Sequence, residues 1–518
     1  MLFSSPVFIL GFLPLVLGGF FLAGRFGDQR APLAWLLAAD LVFYGWWNPW
    51  DVPLLAGSVA INHLLAQCIR RRSQAAPPKS AHPASSNPES SNPESSNPGS
   101  PTPEAPNPAA ARYWLIAGVT FNLALLGWFK YATFLLHIAA PSAPSLNIAL
   151  PLAISFFTFQ QIMFLVDSAH ARHEPAGPLP YAAFVCFFPH LIAGPIVRPS
   201  EILPQLRAPG LARPVAANLA AGTSIFLLGL GKKLVLADTF GAFANTGFAA
   251  AAHGTPLTLI EAWYAALAYT LQIYFDFSGY SDMAIGLARM FNIRFPLNFN
   301  SPYKACDIAD FWRRWHISLS RFLRDYLYIP LGGSRQGEAL RLRNLMLTML
   351  LGGLWHGAAW NFVAWGGLHG VYLVAHRSWM RLGCRLPGPI GQALTLLAVI
   401  VAWVPFRADG TAATLQMLRG MAGLNGLALP QMIVGAWPPL AVIARPVPVL
   451  LWLGDAHTLS LPEVSACLLL GWLIVLTLPH VHELSERARG WALTAGFAFT
   501  VQALFFAPYA APFLYFRF

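Results

Sequence analysis

Charge is scarce in this chain. Aspartate, glutamate, lysine and arginine make up 11% of its 518 residues, against roughly 25% in an average soluble domain, which leaves too little polar surface for a water-soluble globule. Cysteine is scarce as well. The five present, Cys68, Cys186, Cys306, Cys384 and Cys467, are scattered with no C-x-x-C pair, so neither a disulfide framework nor a zinc site is indicated. Acidic residues are the rarer sign, 22 against 33 basic, for a formal charge of +11. A basic excess invites a nucleic-acid reading, but ten basic and four acidic residues lie between 289 and 343, in a block flanked by apolar runs. That placement suits lipid headgroups or an anionic substrate. No nucleic-acid partner, bound cofactor or metal is expected.

Apolar side chains are what the chain has in quantity, 56% of the total. Runs of about 17 to 25 apolar residues recur throughout, for example "PVFILGFLPLVLGGFFLAG" at 6 to 24 and "LTLIEAWYAALAYTLQIYF" at 257 to 275. The expected fold is an all-α polytopic membrane protein with roughly 11 to 13 membrane-embedded helices. "MLFSS" carries no basic residue, and Arg25 and Arg30 follow the first run, so that run reads as an anchor that stays, not as a cleaved signal. The positive-inside rule puts Arg25, Arg30 and "RRR" at 70 to 72 in the cytoplasm, and "WNPWD" at 47 to 51 and the N-terminus outside. Residues 73 to 111, with an SSNPE repeat, read as a disordered cytoplasmic tether. It separates N-terminal membrane helices at 1–72 from a membrane core at 112–410, and further membrane helices are expected at 411–518.

Two stretches break the pattern of full spans. "YAAFVCFFPHLIAGPIV" at 181 to 197 has Arg172 before it and Arg198 and Arg207 after it, and the apolar stretch 345 to 375 lies between Arg341 and Arg343 on one side and Arg377 and Arg381 on the other. With cytoplasmic-type charge at both ends, each reads as a dip that returns. In the second, two short limbs meet near His356. A titratable group in hydrocarbon is costly and usually serves a site or pathway. Burial keeps the imidazole neutral, as a general base must be. A satisfied core histidine is the competing reading.

The stretch "DFWRRWHISLSRFLRD" at 310 to 325, wound as one helix, puts Trp312, Trp315, Leu319, Phe322 and Leu323 on an apolar arc with His316 at its edge. Arg313, Arg314, Ser318, Arg321, Arg324 and Asp325 fall opposite, with Asp310–Arg314 and Arg321–Asp325 as pairs four residues apart. A helix floating in the headgroups accounts for the arginines but not for an imidazole at the apolar boundary. Asp276 and Asp282 either bind an ion or orient a catalytic group, or else pair with arginine or cap a break at Gly279. Arg198 meets an anionic donor or anchors its loop. His369 reads as packing.

The stretches "FDFSGYSDMAIGLARMFNIRFPLNFNSPY", "DFWRRWHISLSRFLRDYLYIPLGGSR" and "LLGGLWHGAAWNFVAWGGLHG" resemble the membrane-bound O-acyltransferase (MBOAT) family, most closely its bacterial polysaccharide-acetylating branch. "LGWFKY" at 126 to 131, "FFPHLIAGPIVRP" at 187 to 199 and "WVPFRA" at 403 to 408 extend the likeness, whereas the tether departs from it. The resemblance implies a ring of tilted, partly re-entrant helices around a central funnel in the bacterial inner membrane. It also implies two catalytic histidines, His356 in its Trp-His-Gly motif and His316 in its Trp-His-Ile-Ser motif. Trp315, Trp355, Asp276, Asp282 and Asn361 are carried as supporting candidates. Arg313, Arg314, Arg321 and Arg324 would hold the phosphates of a thioester donor such as acetyl-CoA. Periplasmic or membrane-anchored acetyltransferases would be its partners, alongside membrane lipids, and the acceptor an exported polysaccharide such as alginate. D-alanyl transfer to teichoic acid and peptidoglycan O-acetylation are the alternatives within the fold. A proton-coupled transporter is the alternative outside it, disfavoured by the lack of internal duplication.

Overall fold

The computed structural model describes residues 1–26, 28, 30–73, 107–447, 461–479, 481–483 and 513–514, nearly all of them in helices or the turns between helices. One short parallel ladder, Ala428–Pro430 with Arg445–Val447, is the only sheet among the described residues. Among the described residues, five helical segments are long and apolar enough to cross a membrane: Val7–Phe26, Asp51–Ser73, Pro108–Ala139, Ala216–Ala252 and Gly388–Arg407. The all-α polytopic reading holds. At the turn between helices Arg30–Gly45 and Asp51–Ser73, Trp46, Trp47 and Trp50 are exposed, as aromatic side chains are where a membrane meets water.

The tether falls on residues 74–106, which lie outside the described residues, but its expected edges move. Ser73 closes the Asp51–Ser73 helix, and Asn107 caps the Pro108–Leu126 helix by accepting from the Ala110 amide at 3.0 Å.

A 32-residue helix, Leu259–Met290, forms the spine. At 1.5 Å per residue it runs roughly 48 Å, longer than the hydrocarbon layer, and nearly every side chain from Ala265 to Met290 is buried. Its start is fixed by Thr258, whose amide donates to the Glu261 carboxylate at 3.0 Å. No break occurs at Gly279. The glycine serves close packing instead, because a Cβ there would lie 2.7 Å from the Gly229 carbonyl oxygen of the Ala216–Gly231 helix.

Polar side chains tie helices together inside the apolar layers. Asn62 and Asn122 exchange amide hydrogen bonds at 2.6 and 3.3 Å, and both Asn62 and Ser58 donate to Gln161, so helices Asp51–Ser73, Pro108–Leu126 and Ile154–Ala169 are joined where water cannot compete. The expected dip at 181 to 197 is two short helices, Pro178–Cys186 and Phe188–Leu191. Residues 183–197 are all buried. The Phe188 amide donates to Asp40 at 2.9 Å and the Ile196 amide to Ser318 at 2.9 Å, which is how irregular backbone is tolerated at such depth.

Candidate active site

The stretch around His356 is a helical hairpin. Helix Glu338–His356 stops at the histidine, Gly357 is extended, and helix Trp360–Arg381 returns. The limbs touch through backbone: a Cβ on Gly353 would stand 2.3 Å from the Phe362 carbonyl oxygen, and one on Gly366 would stand 2.3 Å from that of Met349. His356 therefore sits at the tip of a tightly joined pair, as its flanking charges imply. Its ring is buried among the edges and faces of Trp355, Trp365 and Phe406, with centroids 4.8 to 5.2 Å away.

His356 borders two cavities. The narrower, about 20 Å³, is lined by Ile273, Asp276, Phe277, Trp315, Trp403 and Leu514 among others, and has room for about one water-sized group. The wider, about 180 Å³, is lined by Trp47, Lys130, Ser155, Trp355 and the 150–156 segment, on the side of the 46–50 tryptophan turn. One imidazole thus faces an apolar slot and a more polar chamber.

The 310–325 stretch is not one helix. It divides into Ile308–Arg314 and Ile317–Leu323, with Trp315 extended and His316 left-handed at φ 42°, ψ 55°. Such a conformation at a non-glycine residue costs about 1–3 kcal/mol and persists only where the surroundings impose it. Asn298 imposes it here. Its side-chain oxygen accepts from His316 Nδ1 at 3.1 Å and from Ser318 at 2.8 Å, and its main-chain oxygen accepts from the Ile317 amide at 2.9 Å. Ser318, expected on the basic outer face, is buried in this knot. Because the Asn298 oxygen can only accept, Nδ1 carries the hydrogen and Nε2 keeps its lone pair. The fully buried His316 ring meets Phe277 edge-on at 4.7 Å. Phe277 also lines the slot beside His356. Asn298→Ala is expected to lower turnover by about 10- to 100-fold through loss of ring orientation. Wild-type turnover of the purified variant would remove Asn298 from the site.

The basic face is heavily paired. Arg313 and Arg314 share Asp310 at 3.5 and 2.8 Å, Arg324 holds Asp325 at 2.7 Å, Arg198 also pairs with Asp325, and Arg321 pairs with Glu201 instead of Asp325. The break at His316 turns the second helix so that Arg321 reaches another segment. Burial works against the Asp325 carboxylate, yet Arg324 and Arg198 hold it below the usual carboxylate range. Beside them a cavity of about 500 Å³ is lined by Arg324, Tyr328, Gly332, Gly333, Ser334 and Arg335.

The partners of the two aspartates among the described residues are lysines. Lys233 lies 2.7 Å from Asp276 and Lys232 lies 2.6 Å from Asp282, both from the π-helical turn Lys232–Ala237. Asp276 also accepts from the Leu514 amide at 3.0 Å, so a C-terminal residue reaches the His356 slot; nothing in the generic composition of that end signals this. Trp315 stacks on Phe311 and tilts against Trp403, and Trp355 stacks on Phe159 at 5.0 Å. Asn361 donates to the Pro405 and Ala408 carbonyls at 3.1 Å each, tying the hairpin to the end of Gly388–Arg407. His369 is buried against Trp312, Trp365 and Phe311.

A model of the membrane-bound O-acyltransferase family matches residues 119–386, which contain both histidines, the spine and the hairpin. The peptidoglycan O-acetyltransferase of Helicobacter pylori is 42% identical over 83% of this chain and 81% of its own length. A probable alginate O-acetylase of Pseudomonas aeruginosa is 40% identical over 81% of this chain and 75% of its own. The teichoic acid D-alanyltransferase of Streptococcus thermophilus is 27% identical over 44% of this chain and 57% of its own. With a family match across half the chain and relatives this similar over most of it, the chain belongs to the membrane-bound O-acyltransferase family and is an O-acyltransferase.

Proposed function

We propose that the protein moves an acetyl group from a cytoplasmic thioester, acetyl-CoA or a comparable donor, to a hydroxyl on the far side of the membrane, for O-acetylation of an exported polysaccharide such as alginate. The observation that carries this is the position of His356, which alone among the titratable candidates borders both the apolar slot and the polar chamber. Tryptophans at 46–50 and the positive-inside pattern support a reading with the chamber extracytoplasmic, the N-terminus periplasmic and the protein in the inner membrane. The arginine-rich segment then faces the cytoplasm. Arg313, Arg314, Arg321 and Arg324 would trade their carboxylate partners for the phosphates of the donor, which carry more charge and suit planar guanidinium forks.

In the reaction, His356 takes the proton of the attacking hydroxyl as oxygen bonds to the acyl carbon, and the carbon–sulfur bond breaks to release the thiol. The leaving thiolate takes that proton from the His356 imidazolium, which restores the neutral base, while His316, its Nδ1 hydrogen held by Asn298, keeps an acceptor on the donor side. The immediate acceptor is a partner acetyltransferase or the polymer itself.

An acetyl group is favoured over D-alanine because the O-acetylating relatives are 37–42% identical over 79–83% of the chain, whereas the D-alanyl relatives are at 26–27% over about half. A second acceptor, the glycan of peptidoglycan, is supported by the relative at 42%. Deleting the gene and measuring ester-linked acetate on secreted polysaccharide and on purified peptidoglycan separates them. One polymer loses its acetate and regains it on complementation. Unchanged acetate on both, or lost D-alanine esters instead, overturns the proposal.

A further inference from the structure

We propose that Lys130 and Tyr131 are positioning residues that clamp the end of the helix carrying His356, and so aim its imidazole. The proposal rests on His356 being the proton acceptor. An α-helix leaves its last carbonyls without intrahelical donors, and inside a membrane there is little water to satisfy them. Helix Glu338–His356 ends at such a place. Its last three carbonyls are met by two consecutive residues: Tyr131 Oη donates to Leu354 O at 2.9 Å, and Lys130 Nζ donates to Trp355 O at 2.6 Å and to His356 O at 3.2 Å.

Local geometry makes the double contact possible. Gly127–Tyr131 is a π-helical turn; with hydrogen bonds from i to i+5 it is wound wider than an α-helix, so neighbouring side chains fan through a smaller angle and can serve one target. An ammonium at a helix C-terminus also matches the negative end of the dipole. Among the described residues no carboxylate pairs with Lys130. Its other hydrogen bond is to Ser155 Oγ at 3.1 Å, and both residues line the polar chamber with His356. The cation is spent on fixing the peptide groups on either side of the Trp355–His356 link. Losing it lets the tip of the hairpin unwind and the ring turn away from the slot.

Four variants in lipid nanodiscs and in cells test this: Lys130→Met, Lys130→Arg, Tyr131→Phe and His356→Ala. Lys130→Met is expected to speed amide hydrogen exchange across residues 354–360 by about tenfold, with exchange in the Leu259–Met290 spine unchanged. Ester-linked acyl groups on the exported polymer then fall about 100-fold per molecule of inserted enzyme. Lys130→Arg, which keeps charge and donors, restores both toward wild type. Tyr131→Phe, nearly isosteric, gives a smaller change in the same direction and covers the case in which Lys130→Met does not fold. Unchanged exchange at 354–360 in Lys130→Met and Tyr131→Phe overturns the clamp, as does full acyl transfer in both variants beside an inactive His356→Ala. An active His356→Ala instead removes the catalytic role of that histidine, and the exchange rates still decide whether the clamp exists.

Discussion

Replacing His356 with alanine is expected to lower acyl transfer by about 10²- to 10⁴-fold, leaving the protein inserted and folded. The imidazole is buried, sits where two helices meet and borders both cavities that lead to it, so no neighbouring base can take over proton removal from a hydroxyl arriving through the chamber. His316 is held by Asn298 on a different segment. His369 lies about two and a half turns along the returning limb, among Trp312, Trp365 and Phe311. Folding should survive because the rings that His356 meets edge-on have other partners: Trp365 and Phe406 pack on each other and on Trp403, Phe406 packs on Phe362, and Trp355 stacks on Phe159. The measurement is ester-linked acyl content on the exported polymer in a complemented deletion strain, normalised to membrane-inserted protein. Wild-type content from His356→Ala would refute the assignment.

What could be read in advance was whatever depends on near neighbours in sequence. Apolar runs mark helices because burying them in lipid needs only their own side chains. Charge on both flanks of 345 to 375 marks a hairpin for the same reason, and His356 duly stands at its tip. The break at His316 was illegible because the local pattern is a sound amphipathic helix; a side chain 18 residues away supplies the hydrogen bonds that pay for a left-handed residue. The lysine partners of Asp276 and Asp282 come from 43 and 50 positions away, on a π-helical turn that composition does not mark. Lys130 stands in an apolar run, and in the sequence it belongs only to the "LGWFKY" likeness. Its role depends on carbonyls 225 and 226 positions later.

The closeness of the hairpin limbs leads to the other large effect, that of adding a single methyl group. Gly353→Ala is expected to destabilise the protein by about 1–3 kcal/mol through overpacking, and to lower turnover of the folded fraction by about 100-fold, since a shift of an ångström at a reacting group can have that effect. The new Cβ would lie 2.3 Å from the Phe362 carbonyl oxygen, 3.0 Å from Gly366 Cα and 3.1 Å from Gly366 N. All three are backbone atoms, so no side chain can swing aside. The limbs must part, and His356 is three residues further along the limb that moves. Gly367→Ala is the matched control. Its Cβ would meet only the Leu350 side chain, at 3.5 Å, an ordinary contact, and alanine is favoured over glycine in a helix by up to about 1 kcal/mol. That variant should be as stable as wild type or slightly more so, and fully active. Thermal unfolding in detergent and turnover per folded molecule read the two effects separately. If Gly353→Ala and Gly367→Ala behave alike in both, close backbone contact between the limbs is not what holds His356 in place.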